Sequence, residues 1–351
     1  MEPGSSLVAE STHRLFSDMM SPELLAKAAG GHVPTDCWAA IEEQGLPLAL
    51  LTEGQGGFGL GLTDVAQIMR LQGMFGVPLP LGETIVANHC LALAEMPLAV
   101  GMASLATGEA KDRIALSRKG GVWRLQGIAH RVPWGRCSTI VLATLDDQAR
   151  PRLAVLGPGR GSVAEGANLA MEPRDTVTFD VELPATAVAA LPDSLDLGGV
   201  RAAGAAVRCL AIAGAAERVL GMTVAYANER TQFGKSIGKF QAIQQALAVM
   251  AEEVAACGAA ADMAAEAIGG DWLPIAAAKV RCGEAAGVIA ATAHQVHGAI
   301  GFSREHILHH FTKRLWSWRD EFGAEAEWAL RIGRRVACQG ADRLWPLVTA
   351  H

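Results

Sequence analysis

Residues 226–247 decide the fold of this chain, and they read YANERTQFGKSIGKFQAIQQAL. An Ala-rich helical segment precedes this stretch and a second helix follows it, so Phe233 and Gly234 lie in a turn between two helices. Arg230 and Gln232 can both donate hydrogen bonds beside this aromatic residue. Because Arg pairs bidentately with phosphate oxygens, the turn could hold a flat, phosphate-bearing cofactor. The alternative is that Arg230 is only a cationic partner for the carboxyl end of its helix.

Composition limits the classes of function. The 351 residues exceed one ordinary core, so two or three packed units are expected, and half of the residues are hydrophobic. The net charge of −6 argues against a broad nucleic-acid surface. We expect no membrane span and no signal peptide. Seven scattered cysteines without a CxxC pair favour a reducing, cytoplasmic location.

Three regions follow one another along the chain. Residues 1–107 read as helices separated by loops, and the glycine-rich run 46–62 cannot be a continuous helix. Residues 108–193 contain short alternating or β-branched runs bounded by Pro and Gly, which predicts a small β domain. Residues 194–351 are helical again, and their many Ala and Gly residues allow the close helix packing of a bundle.

The central motif has a specific spacing, Tyr-x3-Arg-x-Gln-Phe-Gly-x2-Ile-Gly-x-Phe-Gln, running from Tyr226 to Gln241. It resembles the signature of the acyl-CoA dehydrogenase family, flavoenzymes that desaturate acyl-CoA thioesters. The GGFG loop near residue 57 and the GxWxLxG run at 121–127 are similar to family motifs as well. The resemblance implies an α+β multidomain fold: an α-helical domain, a β-barrel-like domain and a four-helix bundle. It also implies a dimer or tetramer with FAD at the subunit interfaces.

A second motif, QVHGAIGFS at 295–303, resembles the family's Gln-x-x-Gly-Gly-x-Gly-Phe run, with Ala299 in place of one Gly. In the family this segment meets the ADP part of a neighbouring subunit's FAD. Read without the family, its glycines are a helix C-cap. The FAD contacts that the resemblance implies are Arg230, Gln232, Phe233 and Gln241, with Gln295, Gly298 and Gly301 from the neighbouring subunit.

The middle region departs from the family pattern. Most members carry a Thr-Glu-Pro…Gly-Ser-Asp stretch that binds the flavin ring, whereas residues 102–112 here read MASLATGEAKD. In the sequence, Trp134 lies near the position at which family members often carry an aromatic residue that packs against the flavin. In the N-terminal loop, Glu53 takes the place of the acid of the family's Pro-Glu pair, with Thr52 before it.

Two adjacent acids, Asp320 and Glu321, follow an aromatic-rich helix that contains Trp316 and Trp318. Removal of a weakly acidic proton requires a carboxylate whose pKa is raised by an apolar pocket, and tryptophan side chains can line such a pocket. The alternative is that both acids cap the last long helix. One subclass of the family places its catalytic Glu here, so Glu321 is the predicted base and Asp320 the second choice. The other family position for the base falls near Gly204, where there is no acid.

Histidines at 306, 309 and 310 lie within about one helical turn, but no carboxylate or Cys completes a ligand spacing. A solvated helix face explains them, and no metal is assigned.

The implied reaction is FAD-dependent α,β-dehydrogenation of an acyl-CoA to a trans-2-enoyl-CoA, with electrons passed to an electron-transfer flavoprotein. The alternative is a non-catalytic or half-site subunit that pairs with a paralogous partner, which the departures in the middle region favour. An oxidase or monooxygenase on the same scaffold is a third hypothesis. The resemblance thus implies a flavoprotein of fatty acid or sterol catabolism that assembles as a homo- or heterotetramer. The sequence does not indicate the acyl group.

Overall fold

The N-terminal region of the chain is helical. The computed structural model describes residues 7–108, 111–192 and 195–349. The first five helices are α1 (Leu7–Met19), α2 (Pro22–Ala29), α3 (Thr35–Glu43), α4 (Leu62–Phe75) and α5 (Leu81–Leu93). Helix α2 begins at Pro22, because the Ser21 side chain accepts a hydrogen bond from Leu24 N and Pro22 occupies the first turn. Between α3 and α4 only two short 3₁₀ turns form, Leu46–Leu48 and Glu53–Gln55, so the glycine-rich run is a loop as predicted.

The middle region contains two four-stranded sheets. Their strand orders are β1-β4-β5-β8 and β2-β3-β7-β6, and all pairs are antiparallel except β1 with β4. A separate hydrophobic core lies between these strands. The strands are β1 (Ala103–Ala106), β2 (Arg113–Lys119), β3 (Val122–Pro133), β4 (Thr139–Leu145), β5 (Pro151–Leu156), β6 (Ser162–Ala164), β7 (Arg174–Leu183) and β8 (Val188–Ala190).

The C-terminal region is a helical bundle with a short hairpin, β9 (Thr231–Gln232) and β10 (Lys235–Ser236). Its helices are α6 (Leu197–Glu229), α7 (Gln241–Glu266), α8 (Trp272–His297), α9 (Ala299–Phe302), α10 (Leu308–Trp318), α11 (Glu325–Gln339) and α12 (Leu344–Thr349). Within the described ranges, α6 alone has the length and apolar composition of a membrane span, which the sequence-based expectation had excluded. However, 89% of its most apolar window is buried inside the protein, where it forms the centre of the bundle.

Small residues allow α6 to lie unusually close to α4. A Cβ added at Gly73 would lie 2.0 Å from Ala211 O, and one at Gly214 would lie 1.9 Å from Arg70 O. Both positions therefore require glycine, because the opposing backbones leave no room for a methyl group. This contact joins the N-terminal helices to the bundle, and the large hydrophobic core runs through both regions.

The predicted α+β fold class is confirmed, with N-terminal helices, a middle β region and a C-terminal helical region. The predicted boundaries of the three domains stay predictions. The first strand already begins at Ala103, ahead of the boundary at 107/108. The second boundary, 193/194, lies outside the described residues, as do residues 109–110 of the MASLATGEAKD stretch.

Candidate functional site

The hairpin after α6 presents the central motif to solvent. Phe233 and Gly234 form its two-residue turn with φ of 52° and 78°, the left-handed pair typical of a tight β-hairpin. Ile237 N donates a 2.8 Å hydrogen bond to Arg230 O, which fixes the hairpin to the end of the helix. The Phe233 ring is 93% exposed. A positive φ is uncommon for an aromatic residue, and the exposed ring of Phe233 is accessible to a ligand or partner.

The polar side chains predicted to contact FAD are also available for a ligand. Arg230, Gln232, Gln241 and Gln295 are exposed, and their side chains make no hydrogen bond with the described residues. The resemblance supplied their roles, and the structure adds that their polar ends are unoccupied. Their contacts with FAD stay predictions.

The second motif lies at the same end of the bundle. Helix α8 ends at His297, and Gly298 follows with φ of 63°. Tyr226 stacks on the His297 ring with 4.4 Å between centroids, and its hydroxyl donates to His297 O over 3.3 Å. This contact brings the two motifs to the same end within one chain. An open groove of about 810 Å³ lies beside the second motif, lined by Ala291, His294, Gln295, Gly298, Ala299, Phe302 and Trp316.

Gly301 differs from the other predicted FAD contacts because it is buried. A Cβ at this position would lie 3.0 Å from His297 Cβ and 3.2 Å from Leu308 Cδ2. Packing inside the chain therefore explains why this residue is Gly, and Gly301 does not line the groove. Within the described part of the chain, no group of three or more His, Cys, Asp or Glu residues is arranged to hold a metal.

The two candidate acids both follow the end of α10 and differ in their exposure. Asp320 is exposed to solvent, whereas Glu321 is buried. The next residue, Phe322, has φ of 54° and packs its ring against α6 at Gly204, where a Cβ would lie 2.5 Å from the ring. The absence of a side chain at Gly204, near the other family position for the base, therefore leaves room for the Phe322 ring. The Lys279 ammonium donates to Gly323 O over 3.0 Å and holds this turn in place.

Glu321 is fully engaged by basic and amide side chains. Arg174 binds it bidentately, with Nε to Oε1 at 2.7 Å and Nη2 to Oε2 at 2.8 Å. Arg208 donates from Nε to Oε2 over 2.7 Å, and Asn168 donates from Nδ2 to Oε1 over 2.9 Å. Burial alone would raise the pKa of Glu321, but the two guanidinium groups outweigh burial and lower the pKa to about 2. The expectation of a carboxylate with a raised pKa in an apolar pocket is wrong.

A buried ion-pair network extends from Glu321 through the three regions of the chain. Arg208 on α6 also pairs with Glu83 on α5. Arg174 on β7 pairs with Glu172 over 3.1 Å, and Arg314 on α10 pairs with the same carboxylate over 3.1 Å. Three acids and three arginines balance in charge, which is the condition for burying them. No sequence pattern indicated this network, because Glu83, Arg208 and Glu321 are more than 100 positions apart in the chain.

The tryptophans predicted to wall the base have different surroundings. Trp318 is buried, and its Nε1 donates to Glu172 Oε2 over 3.0 Å, so it belongs to the network. Trp316 lines the open groove and stacks on His294 with 5.6 Å between centroids. In the middle region, Trp134 is buried with φ of 46°, and the Arg174 guanidinium lies 4.6 Å from its ring centroid. The aromatic that resembled a flavin-facing residue is thus covered on one face by Arg174.

A cleft of about 390 Å³ lies beside this network. Its walls come from the end of β1, from β3 and from the turn that contains Glu321. The lining residues are Leu105, Ala106, Thr107, Asp112, His130, Arg131, Val132, Pro133, Arg174, Glu321 and Phe322. Glu321 reaches this cleft with its carboxylate already bound to arginine.

Comparisons with known proteins agree with this architecture. Residues 202–336 match the family model described as "Acyl-CoA dehydrogenase, C-terminal domain". The chain is 30% identical over 286 residues to acyl-CoA dehydrogenase IpdE2 of Mycobacterium tuberculosis, covering 79% of each chain.

Solved structures match over almost the whole chain. A chain of the ChsE4-ChsE5 complex from Mycobacterium tuberculosis superposes with a TM-score of 0.85 at 20% identity, covering 96% of this chain and 99% of the other. A Tcur3481-Tcur3483 steroid ACAD variant gives 0.83 at 21% identity, covering 94% and 96%. These two likenesses show the fold. With the family model and the IpdE2 relative, they confirm the resemblance, and the chain belongs to the acyl-CoA dehydrogenase family, flavoproteins that dehydrogenate acyl-CoA.

Proposed function

We propose that this chain is a half-site subunit of a heteromeric, FAD-dependent acyl-CoA dehydrogenase, and that a paralogous subunit supplies the catalytic base. The assembled enzyme would convert an acyl-CoA to its trans-2-enoyl-CoA. The observation that carries this proposal is the double ion pair of Glu321 with Arg174 and Arg208.

The ion pairs make Glu321 a poor base. A carboxylate whose pKa is about 2, instead of the ordinary 4.5, accepts a proton less readily by about 3 kcal/mol. Release of the carboxylate toward a substrate would leave Arg174 and Arg208 buried with unbalanced charge, which costs about 3–5 kcal/mol for a broken buried pair. Asp320 does not replace it, because its side chain is exposed and outside the cleft. These costs favour the half-site function over the single-chain enzyme in which Glu321 is the base.

The outer part of FAD fits the exposed end of the bundle. When bound, FAD would supply the hydride acceptor of the reaction. Arg230 would pair with phosphate oxygens, Phe233 would pack on a ring of the cofactor, and the amides of Gln232 and Gln241 would donate to its polar edge. In the assembly, Gln295 and Gly298 would approach the ADP portion from a neighbouring chain. The structural support for this arrangement is that four polar side chains make no hydrogen bond with the described residues: Arg230, Gln232, Gln241 and Gln295.

The flavin-ring side fits less well within this chain. Arg174 covers one face of Trp134 and also binds Glu321, so neither the predicted flavin-facing aromatic nor the predicted base is free of Arg174. The chain also lacks the Thr-Glu-Pro…Gly-Ser-Asp stretch. We therefore propose that this chain contacts the outer part of FAD and that the partner supplies the groups around the reacting carbons.

Two solved structures that share this fold support the proposal of a two-component assembly. The ChsE4-ChsE5 complex carries the names of two proteins, and so does the Tcur3481-Tcur3483 structure, which is described as a steroid ACAD. By analogy we propose a paralogous partner and a steroid-derived or fatty acyl-CoA substrate. We also propose a cytoplasmic location and an electron-transfer flavoprotein as electron acceptor.

The test is the absorbance spectrum of the purified chain, alone and after coexpression with a paralogous subunit. The proposal expects little flavin in the chain alone and stoichiometric FAD, bleached by an acyl-CoA, in the complex. A homo-oligomer that holds stoichiometric FAD and is bleached by an acyl-CoA without a partner would contradict it. That result would restore the single-chain dehydrogenase, with Glu321 as its first candidate base.

A further inference from the structure

The cleft of about 390 Å³ beside Glu321 is lined on one side by two consecutive polar residues of β3, His130 and Arg131. Successive side chains of a regular strand point to opposite faces of the sheet, so two neighbours do not normally line the same cleft. The half-site function proposed above gives neither residue a role. Their common position requires a local irregularity of the strand.

A β-bulge in β3 supplies this irregularity. Ala129 pairs with Val177 and Val132 pairs with Asp175, so β3 contains one more residue than β7 across this interval. The extra residue brings Ala129 and Val132 into the same hydrophobic core, although they are three positions apart. In a regular strand Arg131 would share a face with Ala129, and its guanidinium would enter that core. The bulge therefore keeps this charge out of the core.

The backbone that carries Arg131 has a defined conformation. The φ of Arg131 is 55°, which is uncommon for a residue other than glycine. Asp112, just before β2, accepts a hydrogen bond from His130 N over 2.8 Å and contacts the ring Nδ1 of His130 over 3.1 Å. These two contacts hold the residue before Arg131, so the bulge is formed without a ligand.

The other charged groups of the cleft are already paired. Arg174 binds Glu321 bidentately, and the Asp112 carboxylate contacts His130. Arg131 is exposed, and its side chain forms no hydrogen bond or ion pair with the described residues. Among the cleft residues that the structure describes, Arg131 is thus the charged side chain without a partner.

The remaining walls of the cleft are mostly apolar. They come from Leu105 and Ala106 at the end of β1, from Val132 and Pro133 at the end of β3, and from Phe322. An exposed guanidinium beside apolar walls suits a molecule with a short apolar body and one anionic end. A carboxylate is such an end, because its two oxygens match the planar guanidinium bidentately. A phosphate dianion would leave one negative charge unbalanced at a single guanidinium.

We propose that this cleft binds a carboxylate-bearing ligand with a short apolar body, and that Arg131 binds the carboxylate. Two sources offer this chemistry. One is a free carboxylic acid, and the other is an acyl-CoA whose acyl chain ends in a second carboxylate. The acyl-CoA source rests on the proposed function, whereas the free-acid source does not.

Calorimetric titration of the full chain in its assembled form tests the site with hexanoate and hexan-1-ol, which share an apolar chain and differ in charge. We expect hexanoate to bind at least about tenfold more tightly, as for one charge-assisted hydrogen bond. Arg131→Gln should abolish this preference. Arg131→Lys should retain part of it, because an ammonium keeps the charge and loses the planar fork. Arg131 is exposed, so both variants should fold normally, which circular dichroism checks.

The control is Arg160→Gln, which removes the same charge from the same region of the chain. Arg160 is exposed, its side chain makes no hydrogen bond with the described residues, and it does not line the cleft. Its loss should leave the affinity for both probes unchanged.

Hexanoyl-CoA and adipoyl-CoA identify the source of the ligand, because their acyl chains differ by a terminal carboxylate. A preference for adipoyl-CoA that Arg131→Gln removes would identify the acyl-CoA. A change in hexanoate binding alone would identify a free acid. Failure of the proposed function would appear in the flavin spectra and would leave the hexanoate result unchanged. The proposal is overturned if neither preference falls in Arg131→Gln relative to Arg160→Gln.

Discussion

Arg208 donates its Nε hydrogen to Glu321 Oε2 over 2.7 Å, and its other end pairs with Glu83. One buried side chain on α6 thus connects the predicted catalytic acid to an N-terminal helix. Burial would lower the pKa of Arg208, but the two carboxylates outweigh burial and raise it. An acid held in this way stabilises contacts between regions of the chain, and its role in folding can be separated from a role in catalysis.

Glu321→Gln should lower the free energy of unfolding by about 3–5 kcal/mol, because it leaves Arg174 and Arg208 buried with unbalanced charge. Urea denaturation followed by circular dichroism measures this change. The control is Asp320→Asn, an exposed neighbour whose loss should change stability by less than about 0.5 kcal/mol. Equal stability of the two variants would contradict the structural role of the network.

The same variant tests catalysis in the assembled enzyme. If the partner supplies the base, Glu321→Gln should leave the bleaching rate per bound flavin within a few-fold of the wild type. Loss of a true general base lowers such rates by about 10²–10⁴. Stopped-flow absorbance with an acyl-CoA, normalised to bound FAD, separates this effect from lost stability. A bleaching rate reduced by two orders of magnitude with flavin retained would show that Glu321 is the base.

The stability of the chain should fall in mild acid. Folding lowers the pKa of Glu321 from 4.5 to about 2, so the unfolded state binds protons more readily as the pH falls. The contribution of about 3 kcal/mol is therefore complete above about pH 5 and is lost as the pH falls toward 2. Unfolding free energies measured from pH 6 to pH 3 should show a shallower slope in Glu321→Gln. Parallel slopes in the two proteins would contradict the lowered pKa.

The sequence predicted the structural features that depend on residues close together in the chain. Neighbouring residues determine the helix before Arg230, the turn at Phe233 and Gly234, and the β-branched run of β4. The pair of short strands around that turn was not predicted. Neighbouring residues do not determine the environment of Glu321, because Arg174 lies 147 positions away and Arg208 lies 113 positions away. Nearby tryptophans suggested an apolar wall, but only the tertiary fold determines which charged groups reach a buried acid.

Gly214→Ala should destabilise the chain by about 1–3 kcal/mol or more, since its methyl group would meet the Arg70 carbonyl at 1.9 Å. A backbone carbonyl cannot move aside as the end of a flexible side chain can. Gly221→Ala is a matched control in the same helix, because no atom lies within 4 Å of its added Cβ. It should be neutral or stabilising by up to about 1 kcal/mol. Thermal unfolding of both variants tests the contact between α4 and α6.

Arg230→Ala should weaken FAD binding without affecting the fold. Its side chain makes no hydrogen bond with the described residues, so the melting temperature of the chain should not change. Loss of a charge-assisted contact with a cofactor phosphate costs about 1.5–3 kcal/mol, or roughly 10–100-fold in affinity. The ratio of flavin to protein after dialysis of the assembled enzyme measures the loss. Lys239→Ala removes an exposed charge from the same segment and should retain the cofactor. Equal retention by the two variants would remove Arg230 from the proposed cofactor site, and a lowered melting temperature in Arg230→Ala would point to a structural role instead.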